Sequence, residues 1–81
     1  MRHATSNALD KLEPLLVELR FVPGLVEKSR GVFYRKSRAF LHFHEDPSGL
    51  YADVRFGQDF ERVRVESDAE QQALLSRIHT L

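Results

Sequence analysis

The sequence predicts a two-layer α+β domain, in which a four-stranded antiparallel meander is covered on one face by an N-terminal and a C-terminal helix. Near both ends of the chain, apolar residues recur with the spacing of an amphipathic helix. Between these segments, apolar and polar residues alternate as in half-buried strands, and turn-forming residues separate the alternating runs. The length of 81 residues suits one small domain, residues 1–81.

The composition excludes several classes of protein. The formal net charge is zero, so no bulk electrostatic field favours a nucleic acid or a membrane as partner. The chain has no cysteine, and therefore no disulfide framework, thiol nucleophile or zinc–thiolate site. No apolar run approaches the ~20 residues of a transmembrane helix, and the first residues lack the apolar core of a signal peptide. We therefore expect a cytoplasmic protein without a membrane partner.

The first helix is predicted to begin at Ser6 or Asn7, after a frayed tail at residues 1–6, and to reach about Arg20. Its apolar stripe consists of Leu9, Leu12, Leu15, Leu16 and Leu19. Pro14 interrupts the helix, because proline removes a backbone hydrogen bond from a helix interior. Either the helix is kinked at Pro14 or its regular part begins there, and the continuous stripe favours the kinked form.

The segment from Gly31 to Phe56 is predicted to form three strands, because its side chains separate into two alternating sets. The apolar set is Val32, Tyr34, Ala39, Leu41, Phe43, Leu50, Ala52, Val54 and Phe56. The other set is Phe33, Arg35, Arg38, Phe40, His42, His44, Tyr51, Asp53 and Arg55. Two hairpins keep each set on one face. The first pairs Arg35 with Arg38, and the second pairs His44 with Gly49.

The connections around these strands differ in how clearly they are marked. The Lys36-Ser37 turn lacks the Asn-Gly pair of tight hairpins, so a looser turn is the alternative. Pro23-Gly24 ends the first helix, and an additional strand is expected to begin near Val26.

The last part of the chain predicts a fourth strand and a helix. Residues 61–65 alternate again, with Val63 placed opposite Val54 on the apolar face. Ser67 and Glu70 have the spacing of a capping box, which opens the C-terminal helix. The predicted core consists of Leu12, Leu16, Leu19, Leu41, Phe43, Val54, Val63, Leu74 and Ile78.

The polar set defines an open face of the sheet, which neither helix covers. In the predicted register, four arginines lie side by side on this face: Arg35, Arg38, Arg55 and Arg62. Like charges directly opposite each other destabilise a sheet, and a bound anion would offset that cost. Asp53 is expected to pair with Arg64 in the next row. Three aromatic residues are candidates for stacking on a ligand: Phe33, Phe40 and Tyr51.

These residues predict a binding module for an anionic partner, with a nucleic acid favoured over a phosphorylated or acidic small molecule. One alternative is a solvated face on which arginine stems cover Phe33 and Phe40. Another is a homodimer that buries the two phenylalanines together with Tyr51. No catalytic residue and no cofactor motif can be named, because the serines have no triad context and the glycines form no phosphate-binding loop.

The segment His42-Phe43-His44 is a second candidate site. Two histidines at i and i+2 on a strand point the same way, roughly 6–7 Å apart. An acidic residue could complete a metal site of two histidines and one carboxylate. The candidates for that carboxylate are Asp53, Glu45 and Asp46. Solvated or aromatic-packed histidines are favoured over a metal site, and His3 and His79 are poor ligand candidates because they lie near the chain ends.

The order of three segments resembles that of the small bacterial YjbR/MmcQ-like proteins: Val22–Glu27, Gly31–Tyr34 and Arg38–Leu41. The resemblance covers roughly residues 15–65. It implies an α+β fold and, because nucleic-acid binding has been proposed for members of that family, a nucleic-acid partner. The segment HFHEDPSGLYADV departs from the family's pattern, so no functional residue is carried over.

Overall fold

The computed structural model describes residues 1–81 and contains a six-stranded antiparallel sheet and three helices. The elements are β1 (Arg2–His3), α1 (Ser6–Lys11), α2 (Glu13–Arg20), β2 (Leu25–Ser29), β3 (Val32–Arg35), β4 (Arg38–Asp46), β5 (Gly49–Val54), β6 (Glu61–Arg64) and α3 (Asp68–His79). The α+β class is confirmed, whereas the predicted count of four strands is wrong. The additional strand expected near Val26 is present as β2.

The sheet has the order β2-β3-β4-β5-β6, and β1 lies beside the part of β4 that β3 does not reach. The frayed tail predicted for residues 1–6 is therefore wrong. Glu45 holds the N-terminal segment against β4. Its carboxylate accepts hydrogen bonds from the Arg2 side chain at 2.9 Å and from the Thr5 backbone N–H and hydroxyl at 3.0 and 2.9 Å. A strand of two residues is too short to produce a detectable alternation.

The N-terminal helical segment is divided at Leu12. One helix ends at Lys11 and the next begins at Glu13, so the interruption lies at Leu12 and not at Pro14. A separate helix that begins beside Pro14 is closer to the alternative than to the single kinked helix that the stripe favours. Pro14 lies in the first turn of α2, where its missing N–H leaves no intrahelical hydrogen bond unmade. The apolar stripe nevertheless continues across the break, because Leu12 and Leu16 are both fully buried.

The hairpin between β3 and β4 is tight. Arg35 lies opposite Arg38, as predicted. Lys36 and Ser37 both have positive φ, 53° and 64°, which is the requirement of a two-residue type I′ turn. The looser turn is therefore wrong, and two residues that rarely adopt left-handed backbone do so here.

A β-bulge between β3 and β4 places two residues, Phe33 and Phe40, in the core that alternation assigns to the open face. Phe33 lies opposite Leu41, whereas its neighbour Tyr34 lies opposite Ala39, so Phe40 is an extra residue on β4. Because Phe33 faces the same way as Leu41, it points into the core instead of onto the open face.

The hairpin between β4 and β5 is shifted by two residues from the predicted register. Asp46, and not His44, lies opposite Gly49. The Asp46 carboxylate closes the short turn by accepting hydrogen bonds from the Ser48 backbone N–H at 3.2 Å and from its hydroxyl at 2.7 Å. A shift of two residues leaves every side chain on its predicted face, because strand side chains alternate with period two.

The core lies between one face of the sheet and the helices. Its sheet part is Phe33, Phe40, Leu41, Phe43, Leu50, Ala52, Val54 and Val65, and its helical part is Ala8, Leu12, Leu15, Leu16, Leu19, Leu74, Leu75 and Ile78. The predicted core is confirmed except at Val63, which is only partly buried.

The capping box of α3 is also confirmed, since the Ser67 hydroxyl accepts from the Glu70 N–H and the Glu70 carboxylate accepts from the Ser67 N–H. None of the three helices has the length and apolar character needed to cross a membrane.

Candidate functional site

Two rows of polar side chains cross strands β4, β5 and β6 on the open face. The rows are His42, Asp53, Arg62 and His44, Tyr51, Arg64. They differ from the predicted rows because β6, like β5, is displaced by two residues. Val63 lies opposite Ala52 in place of Val54. The displacement preserves both faces and changes which arginine meets Asp53.

The predicted row of four arginines does not form. Arg62 lies opposite Asp53 and donates two hydrogen bonds to its carboxylate, at 2.7 and 2.8 Å. The predicted pairing of Asp53 with Arg64 is therefore wrong. Arg55 turns to the backbone instead, and its Nε donates to the carbonyl of Ala39 at 3.0 Å. The bidentate ion pair neutralises Arg62, so it is less available to an anionic ligand than Arg35, Arg38 and Arg55 are.

Two of the three predicted stacking residues lie in the core. Phe33 is 1% exposed and Phe40 is 4% exposed, so neither can stack on a ligand or bury itself against a second copy of the chain. The bulge at Phe40 is the cause, and the Phe40 ring packs edge-on against Phe56 at 6.0 Å. Tyr51 remains half-buried on the open face, with its hydroxyl 2.8 Å from the Ser48 hydroxyl.

A basic pocket lies at the end of the sheet near the β3–β4 turn. Its cationic lining residues are Arg35, Lys36, Arg38 and Arg55, and the volume is about 280 Å³. The rest of the lining is Ala39, Phe40, Phe56 and Gly57, so no carboxylate contributes to the wall. Three of the predicted anion-binding residues, Arg35, Arg38 and Arg55, are therefore brought together.

The arginines of the pocket differ from all other arginines in the chain. Arg35, Arg38 and Arg55 have no carboxylate oxygen within 4.0 Å, whereas each remaining arginine makes an ion pair. Those paired residues are Arg2, Arg20, Arg30, Arg62, Arg64 and Arg77. The neutral net charge of the chain thus conceals a cluster of uncompensated cations at one site.

Arg55 is held in position within the pocket. Its guanidinium donates to the Ala39 carbonyl and lies above the ring of Phe60, 4.4 Å from the ring centre. A side chain fixed by two contacts loses less conformational freedom when it binds a ligand than a free arginine does.

A histidine cluster lies on the same face and comprises His3, His42, His44 and Asp53. The Asp53 Oδ2 atom is 3.2 Å from His44 Nε2 and 3.5 Å from His42 Nε2. Neither ring nitrogen of His44 makes a hydrogen bond, although the side chain is only 12% exposed. His42 and His44 thus occupy the shared face that their spacing predicts, and Asp53 is the carboxylate nearest to them. Glu45 instead anchors β1.

His3 belongs to this cluster, although its place near the chain end predicts no role for it. Its ring stacks on His44 with the ring centres 4.6 Å apart, and it approaches His42 at 5.8 Å. The pairing of β1 with β4 places His3 directly opposite His44. The Arg2 and Thr5 side chains that bind Glu45 are the only signal that could have indicated this contact.

Burial and ion pairing shift the pKa values within the cluster. Burial, with a contribution from the neighbouring His44, lowers the pKa of His42. The two hydrogen bonds from Arg62 lower the pKa of Asp53, against the opposing effect of burial. The shifts favour a neutral His42 imidazole beside an ionised Asp53 carboxylate.

No protein-family model, curated protein or solved structure matches this chain. The resemblance to YjbR/MmcQ-like proteins stays a prediction.

Proposed function

We propose that this domain is a binding module for a phosphate-bearing ligand, which it holds in the basic pocket. The observation that carries the proposal is the convergence of Arg35, Arg38 and Arg55, the three arginines without a carboxylate partner, on one pocket. Guanidinium groups bind phosphate oxygens through paired hydrogen bonds, so three of them around one pocket suit a dianionic group.

The folding energetics support the same proposal. Arg35 and Arg38 lie directly opposite each other on neighbouring strands, an arrangement of like charges that destabilises a sheet. The turn that joins them holds Lys36 and Ser37 at positive φ, which adds backbone strain beside the pocket. A bound anion offsets the charge repulsion, because it places negative charge between the cations.

The phosphate group itself, and not a base, is the feature that the pocket fits. Phe33 and Phe40 are buried, and the Arg77 guanidinium covers one face of the half-buried Phe56 ring in the pocket wall, 4.2 Å from the ring centre. The pocket therefore offers little aromatic surface for stacking on a nucleobase. The phosphate can belong to a nucleic-acid backbone or to a phosphorylated small molecule, since both present the same anionic oxygens. Because the sequence favours a nucleic acid, an oligonucleotide is one of the two ligands to be tested.

The test is a titration followed by amide chemical shifts at low salt, in the presence of a chelator that removes divalent metal. Pyrophosphate is one probe, and a single-stranded oligonucleotide of mixed sequence is the other. We expect pyrophosphate to shift the amides around Arg38 and Arg55, and Arg38→Gln or Arg55→Gln to weaken binding about tenfold each. Lys11→Gln removes an exposed positive charge outside the pocket and is the matched control.

The two probes distinguish the sources of the phosphate. If the backbone of a nucleic acid is the ligand, the oligonucleotide binds more tightly than pyrophosphate. The logarithm of its association constant then falls with the logarithm of the salt concentration, at a slope of roughly −0.7 per phosphate neutralised. If a small molecule is the ligand, pyrophosphate binds at least as tightly as the oligonucleotide. Absence of shifts at Arg38 and Arg55 with both probes, or equal weakening by Lys11→Gln, would contradict the proposal.

Self-association, the alternative function, has less support. Two of the three aromatic residues expected to form the dimer surface, Phe33 and Phe40, are buried within the protomer. Tyr51 alone offers little apolar area, and interfaces normally bury contiguous apolar patches. A homodimer stays a prediction, and the burial of Phe33 and Phe40 within the protomer does not support it.

A further inference from the structure

The histidine cluster is independent of the basic pocket and has no role in the proposed function. Strand geometry assembles it from three places in the chain. His42 and His44 point the same way because they are two residues apart on β4, and Asp53 lies opposite His42 on β5. The N-terminal strand then places His3 over the ring of His44.

The distances between the donor atoms suit a metal ion. Zinc lies about 2.0–2.2 Å from nitrogen and carboxylate oxygen ligands, so two ligands of a tetrahedral ion are separated by about 3.4 Å. His44 Nε2 and His42 Nε2 are 3.2 and 3.5 Å from Asp53 Oδ2. One ligand atom from each of the three residues lies within 4.8 Å of the others. The two separations from Asp53 are therefore close to that value, and the histidine nitrogens, at most 4.8 Å apart, must approach each other by up to about 1.4 Å to share an ion.

His44 supplies a second, independent observation. Buried polar atoms almost always have a hydrogen-bond partner, yet neither His44 nitrogen has one. Its Nε2 atom is close to the Asp53 carboxylate but is not aligned to donate a hydrogen bond to it. A largely buried imidazole nitrogen that lies 3.2 Å from a carboxylate oxygen and makes no hydrogen bond is free to bind an ion that the oxygen also binds.

We propose that His42, His44 and Asp53 bind a divalent transition-metal ion of the zinc or cobalt type. Two imidazoles and one carboxylate suit this class of ion better than magnesium or calcium, which prefer an all-oxygen shell. Three protein ligands leave at least one coordination position open for water or another ligand.

Two neighbouring residues position the ligands without binding the ion. Arg62 donates one hydrogen bond to each Asp53 oxygen, which fixes the carboxylate and leaves a further lone pair on Oδ2 for the metal. His3 stacks face to face on His44, so it restrains the His44 ring and covers it from solvent. The positive charge of Arg62 opposes a cation, and we therefore expect weaker binding than in a closed structural zinc site.

The test uses the full chain without a polyhistidine tag, treated with chelator and then dialysed free of it. Zinc chloride is titrated by calorimetry in a buffer without phosphate, and cobalt chloride is followed by its visible absorption. We expect one equivalent of each ion to bind. His42→Ala, His44→Ala and Asp53→Asn should each weaken zinc binding at least tenfold, whereas His79→Ala, which removes a histidine outside the cluster, should leave it unchanged.

A second measurement does not depend on the variants being folded. In the parent protein, zinc should shift the imidazole nitrogen resonances of His42 and His44 and leave those of His79 in place. His3→Phe, which keeps a ring above His44, should retain the binding, because His3 is a positioning residue. The proposal is overturned if the parent binds no stoichiometric zinc, if the imidazole resonances of His42 and His44 do not move, or if His79→Ala weakens binding as much as His44→Ala.

Discussion

Glu27 joins three parts of the chain through one carboxylate. Its Oε1 atom accepts a hydrogen bond from Arg20 Nε at 2.6 Å, and its Oε2 atom accepts one from the Gly31 backbone N–H at 2.9 Å. Arg20 also donates to Glu13 at 2.6 Å, so the network ties α2 to the β2–β3 hairpin. The hydrogen bond from Arg20 is the main reason that the pKa of Glu27 is lowered, and burial opposes it.

The lowered pKa of Glu27 predicts a specific pH dependence of stability. A carboxylate whose pKa is lower in the folded state stabilises the fold fully above its unfolded pKa, near 4.5, and this contribution is lost as the pH falls through the folded value. Glu27→Gln should therefore lower the free energy of unfolding at neutral pH and reduce its decline between about pH 5 and pH 3. Urea denaturation at a series of pH values measures both effects.

Glu18 provides the control for this experiment, because it is exposed and makes no ion pair. Glu18→Gln should leave the free energy of unfolding nearly unchanged at neutral pH. A decline with acid that is as steep in Glu27→Gln as in the parent would show that the Arg20–Glu27 pair does not contribute to acid sensitivity.

At the scale of elements, the β3–β4 hairpin stores strain that a single substitution can release. Ser37 has φ of 64°, and glycine adopts this backbone without steric cost. Ser37→Gly keeps the charge of every residue in the basic pocket. We expect it to raise the free energy of unfolding by about 0.5–1 kcal/mol, after the greater freedom of glycine in the unfolded chain is subtracted.

Thermal and urea unfolding measure the change in stability, and the matched control is Ser48→Gly in the next hairpin. Ser48 donates its hydroxyl to Asp46, so its replacement by glycine should destabilise the domain. If Ser37→Gly also destabilises the domain, the hairpin is not strained at this position.

The same elements explain how much of the fold is predictable from the sequence. Alternation assigns Leu41, Phe43, Ala52 and Val54 to the core face correctly, because a side chain on the wrong face would cost a large burial energy. Alternation cannot distinguish two registers that differ by two residues, since both keep the same faces. The pairing of Asp53 with Arg62 depends on that choice and is therefore missed.

Two features, one local and one long-range, limit the prediction of the candidate sites from the sequence. The bulge at Phe40 moves Phe33 into the core, and a bulge leaves no clear signal in a run of apolar residues. The pairing of β1 depends on a contact between Arg2 and Glu45, which are 43 residues apart. The cluster around His42 and His44 is thus predictable from their spacing, whereas the position of His3 above it is not.

At the scale of the whole molecule, positive and negative charges are equal in number but unevenly distributed over the surface. Most arginines are paired with carboxylates from a neighbouring element, as Arg77 of α3 is with Glu61 of β6 at 2.7 Å. The unpaired arginines are confined to the end of the sheet around the β3–β4 turn. A surface optimised only for folding would distribute its cations more evenly, because clustered like charges repel.

This distribution predicts that Arg38→Gln stabilises the free domain while it weakens ligand binding. Removal of one member of the Arg35–Arg38 pair relieves a repulsion between directly opposed like charges, so the free energy of unfolding should rise by about 0.2–1 kcal/mol at low salt. The gain should shrink as salt screens the repulsion. At the same time, the increase in melting temperature that pyrophosphate produces in the parent should be reduced, because ligand stabilises the fold only in proportion to its affinity. Arg30→Gln, which breaks ion pairs with Asp10 and Glu13 outside the pocket, should lower the stability and leave the pyrophosphate effect intact. An Arg38→Gln variant that is less stable than the parent at low salt, with an unchanged response to pyrophosphate, would show that the cluster is a solvated surface and not a binding site.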